Sequence, residues 1–183
     1  FPDTKNFGRK VMNISNEELQ KSIENQLELF TNRLALVNEK LHHIKPHGAL
    51  YNLISVDKNF AEIFLKSIEK YSKDVFLYVP YNSVIEKLAI EKSIKIKYEV
   101  FADRNYNNDL TLVSRNKENA LITDKEDVFK HVLSMYKGKV KTISGELKTI
   151  KVDTFCIHGD NKNAVSILKY LSEKLKKEGI KIA

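Results

Sequence analysis

A chain of 183 residues with 42% hydrophobic residues is long enough for one globular domain or most of one, and with no run of 18 apolar residues it excludes a membrane-spanning helix and an intrinsically disordered chain. The single cysteine excludes an internal disulfide and a four-cysteine zinc site and favours a reducing compartment, so a cytoplasmic location is expected. The net charge of +7 comes from scattered lysines, dense only at Lys174, Lys176 and Lys177, with no recognition helix or stacking run, so neither nucleic acid nor a membrane is expected as a partner.

The first residues, Phe1-Pro2-Asp3-Thr4-Lys5, lack an initiator Met and any leader-like pattern, so the chain reads as cut from something longer. Ser15-Asn16-Glu17-Glu18 is a capping box. Leu19, Ile23, Leu27, Phe30, Leu34 and Val37 then recur at helical spacing, which predicts an amphipathic helix ending near Glu39. A short strand over Leu41 to Lys45 runs into Pro46-His47-Gly48, and Asp57 caps a second helix. Val75 to Val79 is a continuous apolar run stopped by Pro80, the pattern of a strand buried on both faces. A helix through Val84 to Ala89 precedes a strand from Ile94 to Phe101 and the polar loop Ala102 to Tyr106. Thr111 to Arg115 reads as a short strand, and Asp124 to Tyr136 as a helix with Val128, Phe129, Val132 and Leu133 inward. A hairpin is expected over Val140–Ile143 and Lys148–Val152, then a buried strand from Thr154 to His158. The last helix, Asn163 to Glu178, would turn Val165, Leu168, Leu171 and Leu175 to one face.

Alternating helices and strands with short connections predict an α/β fold with a mainly parallel sheet, residues 1–183 forming a single domain. In such folds ligands bind beyond the carboxyl ends of the strands, where three polar clusters fall. The first is Lys45-Pro46-His47-Gly48-Ala49-Leu50-Tyr51-Asn52, which offers an amine, an imidazole and a permissive glycine; a plain Pro-Gly turn with an exposed His is the alternative. The second, Glu99 to Arg104, sets carboxylates beside a guanidinium, where a structural salt bridge competes with a catalytic role. The third, Asp153 to Asp160, puts His158 and Asp160 on either side of Gly159. Residues two apart on a strand share a face, so His43, Lys45 and His47 form one row, Glu99, Phe101 and Asp103 another, and Cys156, His158 and Asp160 a third. Cys156 reads as a packed thiol, and His42 and His131 as surface residues. With 27 lysines against four arginines, an arginine marks a place where bidentate geometry matters; Arg9, Arg104 and Arg115 fall in polar segments, Arg33 in a helix. Gly8, Gly48 and Gly159 fall where backbone must bend or meet a ligand.

Ile44 through Asn52, Glu99 through Arg104 with Tyr106, and Asp153-Thr154 through Cys156, His158, Gly159 and Asp160 closely resemble the LamB/YcsF family. Phe7-Gly8-Arg9 with Met12 to Ser15, and Leu112 to Arg115, fit as well, so the resemblance covers nearly the whole chain in order. It implies a distorted α/β barrel of the glycoside hydrolase/deacetylase type, here incomplete at its N-terminus, so that the chain is about the C-terminal two-thirds of it. It also implies cleavage of 5-oxoproline to L-glutamate coupled to ATP hydrolysis, with ATP as cofactor and subunits B and C of a 5-oxoprolinase as partners. Two departures stand out: of the family's first segments only the tail Phe1-Pro2-Asp3 is present, and Leu110 and Asn119 stand where the family usually has glycines.

The expected chemistry follows from the clusters read with that resemblance. His47 and His158 share general acid and base duties, Asp103 and Asp160 orient them or the water, Lys45 stabilises an oxyanion or phosphate, and Arg104 or Arg115 holds the substrate carboxylate. Tyr51 and Asn52 join the binding groups, with Gly48, Glu99, Gly159 and Arg9 in support. No Gly-x-x-x-x-Gly-Lys-Ser/Thr loop marks a nucleotide site. The rival reading is a divalent-metal amide hydrolase or deacetylase that works without ATP, with His43, His47 and His158 as candidate ligands. A third is an inactive remnant.

Overall fold

The computed structural model describes residues 1–182, and the chain divides into two compact units, Phe1–Lys97 and Tyr98–Ala183. In the N-terminal unit α1 spans Asn16–Leu36, and the capping box is realised: Ser15 Oγ accepts from Glu18 N–H and the Glu18 carboxylate accepts from Ser15 N–H. Only the first half of its apolar stripe is covered, since Leu19 and Ile23 are buried while Phe30 and Val37 are exposed. β1 is just His43–Ile44, shorter than the run Leu41 to Lys45, and pairs in parallel with β2, Phe76–Val79.

Between β1 and β2 lie two helices where one is expected. The predicted one, α3 (Lys58–Ser67), is capped by Asp57 Oδ1; ahead of it α2, Ala49–Val56, grows directly out of Gly48. The apolar residues Leu50 and Ile54, four apart, are its buried face, a helical spacing hidden by the attention that Pro46-His47-Gly48 draws. β2 is not buried on both faces: Leu77 and Val79 are fully covered, whereas Phe76 and Tyr78 are half-buried. The reason is amphipathic company on that face, where the Tyr78 ring stacks on His43 at 4.1 Å and Lys97 Nζ lies 5.2 Å from the Phe76 ring. α4, Val84–Glu91, starts at a second capping box, Ser83 with Glu86.

In the C-terminal unit β3, which spans Ile96–Phe101 and so begins before the boundary, pairs in parallel with β6, Thr154–Cys156, in the register Glu99↔Thr154 and Phe101↔Cys156. Between them come α5 (Lys125–Tyr136), capped by Asp124, and the antiparallel hairpin β4–β5 (Lys139–Lys141 with Leu147–Thr149). The strand expected over Thr111 to Arg115 reduces to a single bridge, Tyr106 to Leu112. α6, Ala164–Lys177, buries Ala164, Ile167, Leu171 and Leu175, with Val165 and Leu168 more than half exposed. The buried face follows the i, i+3, i+7, i+11 spacing, which Ala164 and Ile167 share with Leu171 and Leu175 and Val165 and Leu168 do not. Its core gathers Ala102, Val128, Val132, Ile167, Leu171 and Leu175. Parallel pairing and alternating helices in both units make this an α/β protein, as the order of elements predicts. Among the described residues no helix is long and apolar enough to cross a membrane.

Candidate active site

In the C-terminal unit the strand-end residues meet. Asp103, two residues past the end of β3, is completely buried. One carboxylate oxygen faces His158 Nδ1 at 2.8 Å, and the other accepts from the His158 backbone N–H at 3.1 Å and from Asn161 Nδ2 at 3.4 Å. Burial works against the charge on Asp103, but the imidazole bond, the imidazole's charge and the two amide donors outweigh it and hold the carboxyl below its usual range. An ionised carboxylate only accepts, so Nδ1 carries a proton, and in the neutral form of His158 the lone pair falls on Nε2. The Phe101 ring stacks on that imidazole, centroids 5.1 Å apart and planes 17° from parallel. The His158 side chain is 20% exposed, enough for a substrate to reach it.

The two arginines of this unit separate cleanly. Arg104 is buried and donates from Nε to the Ala120 carbonyl at 3.2 Å and from a terminal nitrogen to the Val113 carbonyl, so its guanidinium braces the loop that follows it. Arg115 is a third exposed and makes one contact of 3.1 Å with Asp160 Oδ2, itself partly exposed. Glu99 is buried on β3, and Cys156, expected in the core, is only half-buried on β6. Gly159 has no left-handed φ, and a Cβ there would meet nothing within 4 Å. Leu110, at a usual family glycine position, does adopt the left-handed φ of 67°. Asn119 does not, with φ −90°.

In the N-terminal unit His47 is exposed, and its Nε2 lies 3.0 Å from the Phe7 carbonyl, which makes Nε2 the donor and Nδ1 the free base. The Phe7 ring meets the imidazole edge-on at 4.8 Å, and Arg9 lies 5.8 Å from that ring. Partial burial, followed by the charges of Arg9 and Lys45, lowers the His47 pKa against the opposing pull of the Phe7 carbonyl. What brings Phe7 and His47 together is a backbone contact: Ala49 N–H donates to Gly8 O at 2.9 Å, with Gly8 and Gly48 both at positive φ. Half-buried Lys45 points its ammonium at the ring of buried Tyr51, 5.7 Å away, while Asn52 is exposed one residue on. His43 lies under Tyr78 and has Nδ1 3.1 Å from that of His42. A cavity of about 860 Å³ within this unit is lined by Asp3, Gly8, Ile23, Lys45, His47 and Leu50, among others. Among the described residues no group of three or more His, Cys, Asp or Glu is placed to hold a metal ion.

Sequence reasoning passed over two contributors. Asn161 supports Asp103 from a loop with no motif of its own. His131, expected at the surface, lies inside: its Nε2 is buried without a hydrogen-bond partner, its ring centroid is 6.0 Å from that of Tyr106, and burial pushes its pKa down to about 4. Its spacing was informative, since it falls three residues after Val128 and four before Met135, both on the buried face of α5.

The fold is that of an α/β protein with a buried carboxylate against an imidazole at the end of its parallel strands. The model of the LamB/YcsF family matches residues 1–183. The chain is 40% identical over its whole length to the A component of a 5-oxoprolinase from Pyrococcus horikoshii, covering 72% of that protein, and 39% identical over the same shares to its counterpart from Campylobacter jejuni. The crystal structure of a lactam utilization protein from Thermus thermophilus superposes on all of the chain and 73% of its own length, with a TM-score of 0.90 at 30% identity. The chain belongs to the LamB/YcsF family.

Proposed function

We propose that this protein opens the ring of 5-oxoproline to give L-glutamate, as the A component of a 5-oxoprolinase that couples the reaction to ATP hydrolysis with subunits B and C. The observation that carries the reading is the Asp103–His158 pair, in a chain 40% identical to a protein named as that component of 5-oxoprolinase. A five-membered lactam is a stable amide, so opening it needs an activated water, a stabilised oxyanion and a proton for the departing nitrogen. His158 Nε2 takes the proton from water, Asp103 stabilises the imidazolium that forms, and the same Nε2–H returns the proton to the ring nitrogen. Arg115 is the guanidinium for the substrate carboxylate, because Arg104 is committed to the Val113 and Ala120 carbonyls, while Arg115, a third exposed, holds a single carboxylate oxygen of Asp160 and has further N–H donors for a second carboxylate. In the N-terminal unit His47 offers a second proton-transferring nitrogen, and Lys45 a cation for developing negative charge. ATP is a co-substrate of this reaction, and no residue of the chain is assigned to it. A cytoplasmic setting suits a protein with a single cysteine.

The test is glutamate release from 5-oxoproline by the protein with subunits B and C, with and without ATP, before and after chelation of divalent metals. Glutamate formed only with ATP is expected. Release without ATP that chelator abolishes would replace this reading with a metal-dependent amide hydrolase, and no release under any condition would leave the chain a binding subunit.

A further inference from the structure

Tyr106 takes no part in the chemistry proposed for the site, yet it is 4% exposed and stands three residues after Asp103. At the end of β3 the Ala102 N–H donates to the Cys156 carbonyl of β6 at 2.9 Å. Successive N–H groups of a strand point to opposite edges, so the Phe101 N–H faces away from β6. Its acceptor is a side chain, the Tyr106 hydroxyl oxygen at 2.8 Å. That bond closes the chain on itself around Ala102-Asp103-Arg104-Asn105. The enclosed backbone is pinned on its outer side as well: Asp103 O accepts from Ile122 N–H at 2.9 Å, Asn105 N–H donates to Ala120 O at 3.2 Å, and Tyr106 O accepts from Ile143 N–H at 2.9 Å. Phe101 supplies the ring stacked on His158, and Asp103 the carboxylate on its Nδ1.

From this arrangement we infer that Tyr106 is a positioning residue for the Asp103–His158 pair, its hydroxyl fixing the Phe101 peptide and, through it, both the ring against the imidazole and the carboxylate that selects its tautomer. The inference rests on reading His158 as the base. A phenylalanine at 106 would keep the ring packed toward His131 and remove only the hydroxyl, and with it the acceptor for the Phe101 N–H, whereas water cannot take its place at a buried strand end without room for it.

The experiment compares wild type with Tyr106→Phe and with Phe101→Leu, which keeps the backbone bond but removes the stacked ring. The readouts are melting temperature, the nitrogen-15 imidazole spectrum of His158 (assigned by its loss in His158→Gln), and kcat and KM in the assay above. Both variants are expected to fold, to lose part of the Nδ1–H tautomer of His158, and to show kcat about tenfold lower with KM within about twofold. A wild-type tautomer and kcat in Tyr106→Phe would overturn the inference, as would a lowered melting temperature with the tautomer unmoved, since Tyr106 would then be structural only. If Tyr106→Phe does not fold, a fluorotyrosine placed at 106 alone, which keeps the shape and weakens the hydroxyl oxygen as an acceptor, replaces it, and a wild-type tautomer and kcat there overturn the inference equally. Full activity in His158→Gln would sink the parent reading instead, while the tautomer ratio still judges Tyr106.

Discussion

The two strand-end histidines, His47 in the N-terminal unit and His158 in the C-terminal unit, look alike in sequence and are held by opposite means. His158 has one nitrogen on a buried carboxylate and an aromatic ring on its face. His47 has one nitrogen on a backbone carbonyl, is exposed, and has Arg9 and Lys45 as its charged neighbours. A carboxylate stabilises the imidazolium that a general base becomes; at His47 partial burial and the neighbouring cations favour the neutral imidazole, and the carbonyl only orients it. Position at a strand end therefore supplies an imidazole, and the neighbour decides its role.

The sharpest test of that contrast is to remove the charge and keep the shape. Asp103→Asn should cut kcat by about 10²–10⁴, as should His158→Gln, and the double variant should be no worse than either alone because the two act as a unit. His47→Gln should lose distinctly less, on the order of tenfold, because no carboxylate has primed it. Equal losses at the two histidines, measured as kcat in the reconstituted assay, would erase the distinction.

The next effect is on stability. His131 stays neutral inside the C-terminal unit, with a pKa of about 4 against 6.5 for a free side chain. Between those values the unfolded chain binds a proton that the folded chain refuses, so stability is full above pH 6.5 and is lost as pH falls toward 4, by about 3 kcal/mol. The depressed Asp103 carboxyl contributes stability that is present above its unfolded value of 3.8 and lost as pH falls through its folded value, a dependence of the same sign at lower pH. His131→Gln should flatten the upper limb and leave the lower one. Urea unfolding at a series of pH values from about 7 to 2 checks this; a variant slope equal to wild type between about pH 6.5 and 4 would put the titration elsewhere. His47 is also shifted down, but its exposure leaves it little weight in such a curve.

Much of this was legible in the sequence. The α/β order, the capping box at Ser15, the cap at Asp57, the hairpin turn and the placing of Asp103 and His158 near strand ends follow from local pattern; which carboxylate meets which imidazole does not. What stayed hidden depended on tertiary contact. That Arg104 is spent on two loop carbonyls and Arg115 is not cannot be read from two arginines in polar segments. α2 was masked because a Pro-His-Gly run reads as a turn, and the turn's glycine is also where the helix begins. The exposed half of α1 and the exposure of Val165 and Leu168 on α6 share a cause: periodicity gives a stripe, but neighbours decide which part of it is covered.

The backbone offers the finest discrimination between the two histidines. Gly48 has φ 65° and ψ −130°, and a Cβ there would stand 2.4 Å from the Gly8 carbonyl oxygen, in the contact that brings Phe7 to His47. Gly48→Ala should therefore cost about 2–3 kcal/mol and loosen His47, with the Asp103–His158 tautomer unchanged. Leu110, in the loop braced by Arg104, carries the reverse defect: a left-handed φ costs a leucine about 1–2 kcal/mol, while glycine adds about 0.5–1 kcal/mol of unfolded-state entropy. Leu110→Gly should then stabilise the protein by roughly 0.5–1 kcal/mol. Gly159, next to His158, lies in open space at an ordinary φ, so Gly159→Ala should change stability by less than about 0.5 kcal/mol. Chemical denaturation orders the three. A Gly159→Ala protein that is stable but has a raised KM would show that this glycine makes room for substrate, and that His158 depends on open backbone after all, as His47 does.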